Sequence, residues 1–172
     1  INVENIMTQA NMGLIGTGTM GSAFALNIAE NGHDVAIWNL DLSAVDELIT
    51  SAGDLASRLV RCDKIVNLVH TLAVPRAIIL LVPAGKAVDR CIDELLPLLS
   101  PGDTIIDGGN SDFRDTIERT KRLEEVGLAY LGVGVSGGAE GARRGPSMMA
   151  GGTHASYAAV KPVLEAIAAK YR

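Results

Sequence analysis

Short aliphatic runs alternate with stretches of helical period along most of this chain. Met12, Leu14 and Ile15 form an apolar run that ends in glycine, which predicts a first strand. Residues 22–30 follow with Phe24, Ala25, Ile28 and Ala29 on one helical face. Asn31-Gly32 supplies the stop. The same rhythm predicts further strands over residues 34–39, 59–62, 77–82, 104–107 and 128–133. Helices are predicted over 43–50, 63–72, 87–99, 111–126 and 156–171. Asp63 is the expected cap of the 63–72 helix, and Ser111 or Asp112 that of the 111–126 helix. Pro162 fits the last helix only within its first turns. Residues 134–152 read as a glycine-rich loop. Residues 77–82 are unbroken Ala, Ile, Leu and Val, the mark of a strand buried on both faces. Strand and helix in alternation predict an α/β fold with a doubly wound, mainly parallel sheet of the Rossmann type.

Composition narrows the class. The 172 residues suit one domain with its own core. Aromatic residues make up 3% and 19 glycines are present, so the core is aliphatic and the backbone turns tightly. The net charge is −5 and no basic stripe appears, which argues against a nucleic-acid partner. No apolar run reaches the roughly 18 residues of a membrane span. Cys62 and Cys91 lack metal-ligand spacing, and no signal peptide precedes them; reduced thiols of a cytoplasmic protein are expected. His33, His70 and His154 are scattered and make no metal site. Residues 1–10 are expected to be a disordered or cloning-derived extension, with one dinucleotide-binding domain over 11–172.

The first glycine cluster carries chemistry. Gly16-Thr17-Gly18-Thr19-Met20-Gly21 fits G-x-G-x-x-G between a predicted strand and a predicted helix. Gly16 permits the tight turn, Gly18 lets a pyrophosphate approach the backbone, and Gly21 lets helix and strand pack closely. The helix N–H groups and dipole then hold the phosphate charge, which is how an acidic protein binds an anion. The next strand ends in Asn39-Leu40-Asp41. An acid here accepts from the ribose 2′-hydroxyl of NAD, whereas an arginine would accept the 2′-phosphate of NADP. No Arg or Lys lies between Glu30 and Arg58. Asp41 facing a 2′-phosphate would be repelled by up to about 4 kcal/mol per unit charge at about 4 Å. NAD is therefore the preferred cofactor, although Asp41 could equally serve as the cap of the next helix.

Two more clusters follow strands. Asp107-Gly108-Gly109-Asn110-Ser111 offers the Asn110 amide to a nicotinamide or a polyol. Val135-Ser136-Gly137-Gly138 offers a hydroxyl and glycine N–H groups for an anion or hydroxyl. Ligands in such sheets bind at the carboxyl ends of strands, so a shared pocket is expected.

These runs, with Gly13-Leu14-Ile15-Gly16, Ile79-Leu80-Leu81-Val82, Ala84-Gly85 and Glu140-Gly141-Ala142-Arg143 followed by Gly145-Pro146-Ser147, resemble the 6-phosphogluconate dehydrogenase family. The resemblance covers nearly all of residues 12–170. It implies oxidative decarboxylation of a sugar acid phosphate, 6-phosphogluconate, to ribulose 5-phosphate. It places Gly16, Gly18, Thr19, Met20, Gly21, Asn39, Asp41, Val82 and Ala84 at the cofactor, and Asn110 at both nicotinamide and substrate. Ser136, Gly137 and Gly138 would hold the sugar acid. The family's usual Asn-Arg-Thr is Asn39-Leu40-Asp41 here, in keeping with NAD. Its catalytic lysine and glutamate, and the helical domain that makes its homodimer, correspond to positions beyond Arg172. The chain alone is therefore expected to be inactive. Two other readings stand: a 3-hydroxyisobutyrate-type dehydrogenase domain, which shares the first loop, and a stand-alone NAD-binding, redox-sensing module.

Other conspicuous residues have plain expectations. Glu118, Arg119, Lys121, Arg122 and Glu125 read as a solvated helix face, and Arg143 and Arg144 as solvated loop charges. Met148 and Met149 are expected to pack beneath the glycine-rich loop, and both cysteines to be small buried hydrophobes.

Overall fold

The computed structural model describes residues 9–170. Seven strands form one sheet: β1 (Met12–Ile15), β2 (Val35–Trp38), β3 (Leu59–Arg61), β4 (Ala77–Leu80), β5 (Thr104–Asp107), β6 (Ala129–Ser136) and β7 (Ser147–Gly151). Their order is β3-β2-β1-β4-β5-β6-β7. All neighbours are parallel except β6 and β7. The helices are α1 (Thr19–Glu30), α2 (Leu42–Ser51), α3 (Ile65–Thr71), α4 (Lys86–Leu95), α5 (Phe113–Glu124), α6 (Gly138–Arg144) and α7 (His154–Ile167). This is the doubly wound α/β architecture that the alternation predicts.

The period of two explains the two covered faces. On β1, Met12 and Leu14 join one core cluster with Phe24, Ile28, Val160 and Leu164 from α1 and α7. Ile15 joins the other, with Leu68, Val88 and Ile92 from α3 and α4. Ile79 and Ile106 continue the first cluster, Ile78 and Ile105 the second. Both sides of β1 and β4 are buried, so these strands are apolar without alternation.

The strand order reverses at β1, with β2 on one side and β4 on the other. Loops after these strands leave in opposite directions and open a crevice at the carboxyl edge.

Several details differ from expectation. The span 134–152 is not a loop: β6 runs on to Ser136, α6 follows, and β7 returns antiparallel with Ser136 opposite Ser147. Glycines hid a hairpin-like edge because they carry no hydrophobic pattern. Helix α1 begins at Thr19, three residues earlier than the apolar period indicated. Lys64, not Asp63, precedes α3, and Asp63 pairs instead with Arg61. Asp112 caps α5 as expected, accepting from the Arg114 N–H at 2.8 Å. Pro162 lies mid-helix in α7 rather than in its first turns. The helix continues past it with one N–H fewer in its ladder. Met148 packs on the first cluster, but Met149 is exposed. Arg143 lies on α6 and bonds Glu30 of α1. Of the expected N-terminal extension, residues 1–8 lie outside the described residues; Ala10 is buried and bridges to Leu72.

Asn27 shows how the late elements are fastened to the early ones. It is buried on α1, and its Nδ2 donates to the Ala142 and Ile167 carbonyls, both at 3.0 Å. One side chain thus closes the C-terminal ends of α6 and α7 onto α1. Asn27→Ala should leave two buried carbonyls unpaired and lower stability by about 2–3 kcal/mol. Urea unfolding at an unchanged m-value is the measurement.

Cys62 and Cys91 are free and buried, as expected. Burial pushes the Cys91 thiol up to about 11 from 9.0, and burial raises Cys62 as well. Above pH 9 the unfolded chain releases these protons while the folded chain keeps them, so stability should fall as pH rises from 9 towards 11. Denaturation midpoints across that range, in wild type and Cys91→Ala, should show the decline and its reduction in the variant.

Candidate functional site

The β1–α1 turn is built on backbone contact. Gly16 sits at φ 102°, and a Cβ there would lie 2.4 Å from the Leu81 carbonyl oxygen. A Cβ on Gly21 would lie 1.8 Å from the Gly16 carbonyl oxygen. Strand, helix and the end of β4 therefore meet at distances no side chain permits. The Gly16 N–H donates to the Trp38 carbonyl (3.1 Å) and the Leu81 N–H to the Ile15 carbonyl (2.8 Å), joining the ends of β1, β2 and β4.

Gly18 is different. It is exposed, and a Cβ there would meet nothing within 4 Å. It precedes α1, whose N-terminus has no side-chain cap and no acidic residue in its first turn. The helix therefore presents open backbone donors and the positive end of its dipole to the crevice. The Thr17 Oγ1 is buried and has no partner, alone among the buried side-chain oxygens and nitrogens of the described residues. An open glycine, an uncapped twelve-residue helix and an orphaned hydroxyl fit an anionic group such as a pyrophosphate.

The end of β2 supports this loop. Asn39 accepts from the Thr17 N–H at 3.1 Å and donates to the Asp41 carbonyl at 2.9 Å. Asp41 caps α2, accepting from the Ser43 hydroxyl at 2.7 Å and the Ser43 N–H at 3.0 Å. These two hydrogen bonds hold its carboxyl below the usual carboxylate range. Leu40 is 89% exposed. A pocket of about 380 Å³ lies between the β2 and β4 ends, lined by Trp38, Asn39, Leu40, Val82, Pro83 and Arg90. Ala84 is exposed just beyond it.

A second pocket, of about 230 Å³, opens between the β5 and β6 ends, lined by Asn110, Phe113, Thr116, Gly134 and Met149 among others. A Cβ on Gly109 would lie 2.6 Å from the Val82 carbonyl oxygen, so the β4 and β5 loops also touch. Asn110 has φ 60°, the one positive value at a non-glycine among the described residues. Ser136, Gly137 and Gly138 are exposed at the β6–α6 junction and line neither pocket. The structure thus sets all the expected residues on one sheet edge and joins the Gly16–Gly21, Asn39 and Val82 group tightly. It leaves the Ser136 group apart.

Arg119 overturns the expectation of a wholly solvated α5. Its side chain is only 5% exposed. Its Nε donates to Asp89 (2.8 Å), its Nη1 to the Ser111 hydroxyl (3.1 Å) and its Nη2 to the Gly85 carbonyl (3.2 Å). Asp107, buried below Asn110, lies 3.5 Å from the same guanidinium. It accepts from the hydroxyls of Ser111 (2.6 Å) and Tyr130 (2.7 Å). Burial, with Asp107 beside it, drives the Tyr130 phenol far above its ordinary value. The sequence signal was present: Thr116, Arg119 and Leu123 recur at i, i+3 and i+7, an inward stripe with a charge in its middle.

Among the described residues no cluster of acidic, histidine or cysteine side chains could hold a metal, and no helix is long and apolar enough to cross a membrane. Against this geometry, a family model described as the NAD binding domain of 6-phosphogluconate dehydrogenase matches residues 11–172. The chain belongs to that family. A 6-phosphogluconate dehydrogenase, decarboxylating, of Treponema pallidum is 47% identical over 161 residues, covering 94% of this chain and 33% of that protein. A Plasmodium falciparum 6-phosphogluconate dehydrogenase, solved apo, with NADP+ and with 6-phosphogluconate, superposes with a TM-score of 0.89 at 37% identity, over 93% of this chain and 34% of that one. A 3-hydroxyisobutyrate dehydrogenase of Mycobacterium tuberculosis, with L-serine, gives a TM-score of 0.78 at 25% identity, over 93% and 52%. The chain spans about a third of the length of the curated relatives it matches.

The glycine geometry separates folding from binding within this 6-phosphogluconate dehydrogenase-type domain. Gly21→Ala should cost about 3 kcal/mol or more, because backbone must move. Gly18→Ala, at an ordinary φ of −64°, should stay within about 1 kcal/mol of wild type. Thermal denaturation of the two variants compares them directly.

Proposed function

We propose that this chain binds the dinucleotide for a 6-phosphogluconate dehydrogenase, the enzyme that oxidatively decarboxylates 6-phosphogluconate to ribulose 5-phosphate. The observation that carries the reading is the open, uncapped N-terminus of α1 at Gly18, placed where the strand order reverses. The pyrophosphate lies against Gly16, Gly18, Thr19, Met20 and Gly21. The adenosine side takes the pocket of Asn39, Leu40 and Val82, with Asp41 at the ribose and Ala84 along the cofactor. Asn110 faces nicotinamide and substrate. Ser136, Gly137 and Gly138 hold the sugar acid. The bound cofactor supplies the hydride acceptor; the residues of this chain bind and orient.

NAD is the preferred cofactor. Asp41 places a carboxylate at the end of β2, Leu40 presents only an apolar side chain, and residues 31–57 hold no Arg or Lys. Arg90, across the same pocket, is the cation that offsets this preference. The lysine and glutamate that serve as base and acid, and the homodimer contact, belong to the further length that the relatives possess. The 172-residue polypeptide accordingly binds but does not turn over. The reading includes a cytoplasmic location, where Cys62 and Cys91 stay reduced. The 3-hydroxyisobutyrate-type alternative ranks second, with 25% identity against 37% and 47%.

Calorimetric titration should give tighter binding of NAD+ than of NADP+. The reverse order would overturn the preference. Gly18→Asp should abolish binding of both while the thermal midpoint stays near wild type, because bulk and charge then stand where the pyrophosphate lies. Retained affinity would reduce the first loop to a plain turn.

A further inference from the structure

Asn110 is held in a conformation that it would not choose. Its φ of 60° is costly for a residue with a Cβ, though Asn tolerates it better than most. The residues on either side of it are tied to one carboxylate. The Gly109 N–H donates to Asp107 Oδ1 at 3.0 Å, and the Ser111 hydroxyl donates to Asp107 Oδ2 at 2.6 Å. Asp107 is fixed from below by the Tyr130 hydroxyl and flanked by Arg119. Arg119 in turn bonds Ser111 and the Gly85 carbonyl, and pairs with Asp89 and, at 3.7 Å, with Asp115. Gly85 closes the loop that carries Val82 and Ala84. One buried guanidinium therefore bridges the loop after β4 and the loop after β5. A planar fork with five donors suits this task, since it fixes direction as well as distance.

We propose that Arg119, Asp107, Ser111 and Tyr130 are positioning residues: they clamp the peptide on both sides of Asn110 and so aim its amide at the nicotinamide end of the dinucleotide, in register with the Val82–Gly85 loop. This rests on the dinucleotide reading above and adds to it the device that holds the amide. Asp107 and Ser111 line the same pocket as Asn110, and the role assigned to all four is to act through Asn110. The buried polar cost is met because each donor and acceptor has a partner, and removing one leaves others unpaired.

ADP-ribose is the probe, because it is the dinucleotide without its nicotinamide. Titrations of the 172-residue chain compare NAD+ with ADP-ribose for wild type, Arg119→Gln, Ser111→Ala and Asn110→Gly. Asn110→Gly keeps the left-handed backbone and removes the amide. The clamp variants should weaken NAD+ by about five-fold, the scale of one hydrogen bond, and leave ADP-ribose within about two-fold. In the Asn110→Gly background they should add nothing further. Equal losses for both ligands would make the network merely structural, and unchanged NAD+ affinity or full additivity with Asn110→Gly would equally overturn the proposal. If Arg119→Gln does not fold, Ser111→Ala, at a half-buried hydroxyl, decides by the same criteria. Failure of wild type to bind ADP-ribose would instead overturn the dinucleotide reading itself.

Discussion

Everything at the crevice depends on backbone touching backbone where β1, α1 and β4 meet. Gly16 and Gly21 bring three chain segments to separations that a single methyl group would prevent. That contact sets the direction in which α1 leaves the sheet. It therefore sets where the uncapped N-terminus points and how wide the gap between β2 and β4 becomes. Gly109 repeats the device one strand further on, seating its loop against Val82. The crevice is thus a property of main-chain packing, and the side chains around it are secondary in placing it.

Two polar hubs finish what the glycines begin. Asn27 ties the last helices to the first one, and Asp107 ties α5, β6 and the Asn110 loop together. Both are buried, where an unpaired group is costly, so each specifies one arrangement rather than a family of similar ones. The aliphatic clusters supply cohesion without direction. The hubs supply direction. Of the two, Asp107 acts beside Asn110 at the pocket between β5 and β6, while Ser136–Gly138 lie exposed outside both pockets.

Much of the architecture was legible in the chain. Strands β1, β2 and β4 announced themselves as short apolar runs, because burial on both faces leaves no polar positions to blur the signal. The first glycine cluster was legible for a different reason: close approach and open approach both demand glycine, and the spacing of Gly16, Gly18 and Gly21 separates the two. Where glycine is abundant but apolar period is absent, the reading failed. Residues 134–152 hold a strand, a helix and an antiparallel return that no hydrophobic rhythm reveals. Pro162 misled similarly, because a long helix docked by Val160, Leu164 and Ile167 absorbs one missing hydrogen bond.

The chemistry divides along the same line. Local spacing alone determined a doubly wound sheet, a phosphate-type loop at Gly16–Gly21 and an amide at Asn110, because turn geometry and helix dipoles act within a few residues. Only the tertiary structure decided what the charges do. Arg119 looked solvated on a charged helix, yet it lies buried because Asp89 and the Gly85 carbonyl arrive from a distant segment to receive it beside Asp107 and Ser111. Asp41 is the local exception: its Oδ1 caps α2 through Ser43, two residues away, which leaves the ribose role proposed above to its other oxygen. A charge is placed by its partners, and partners far apart in sequence meet only when the chain has closed.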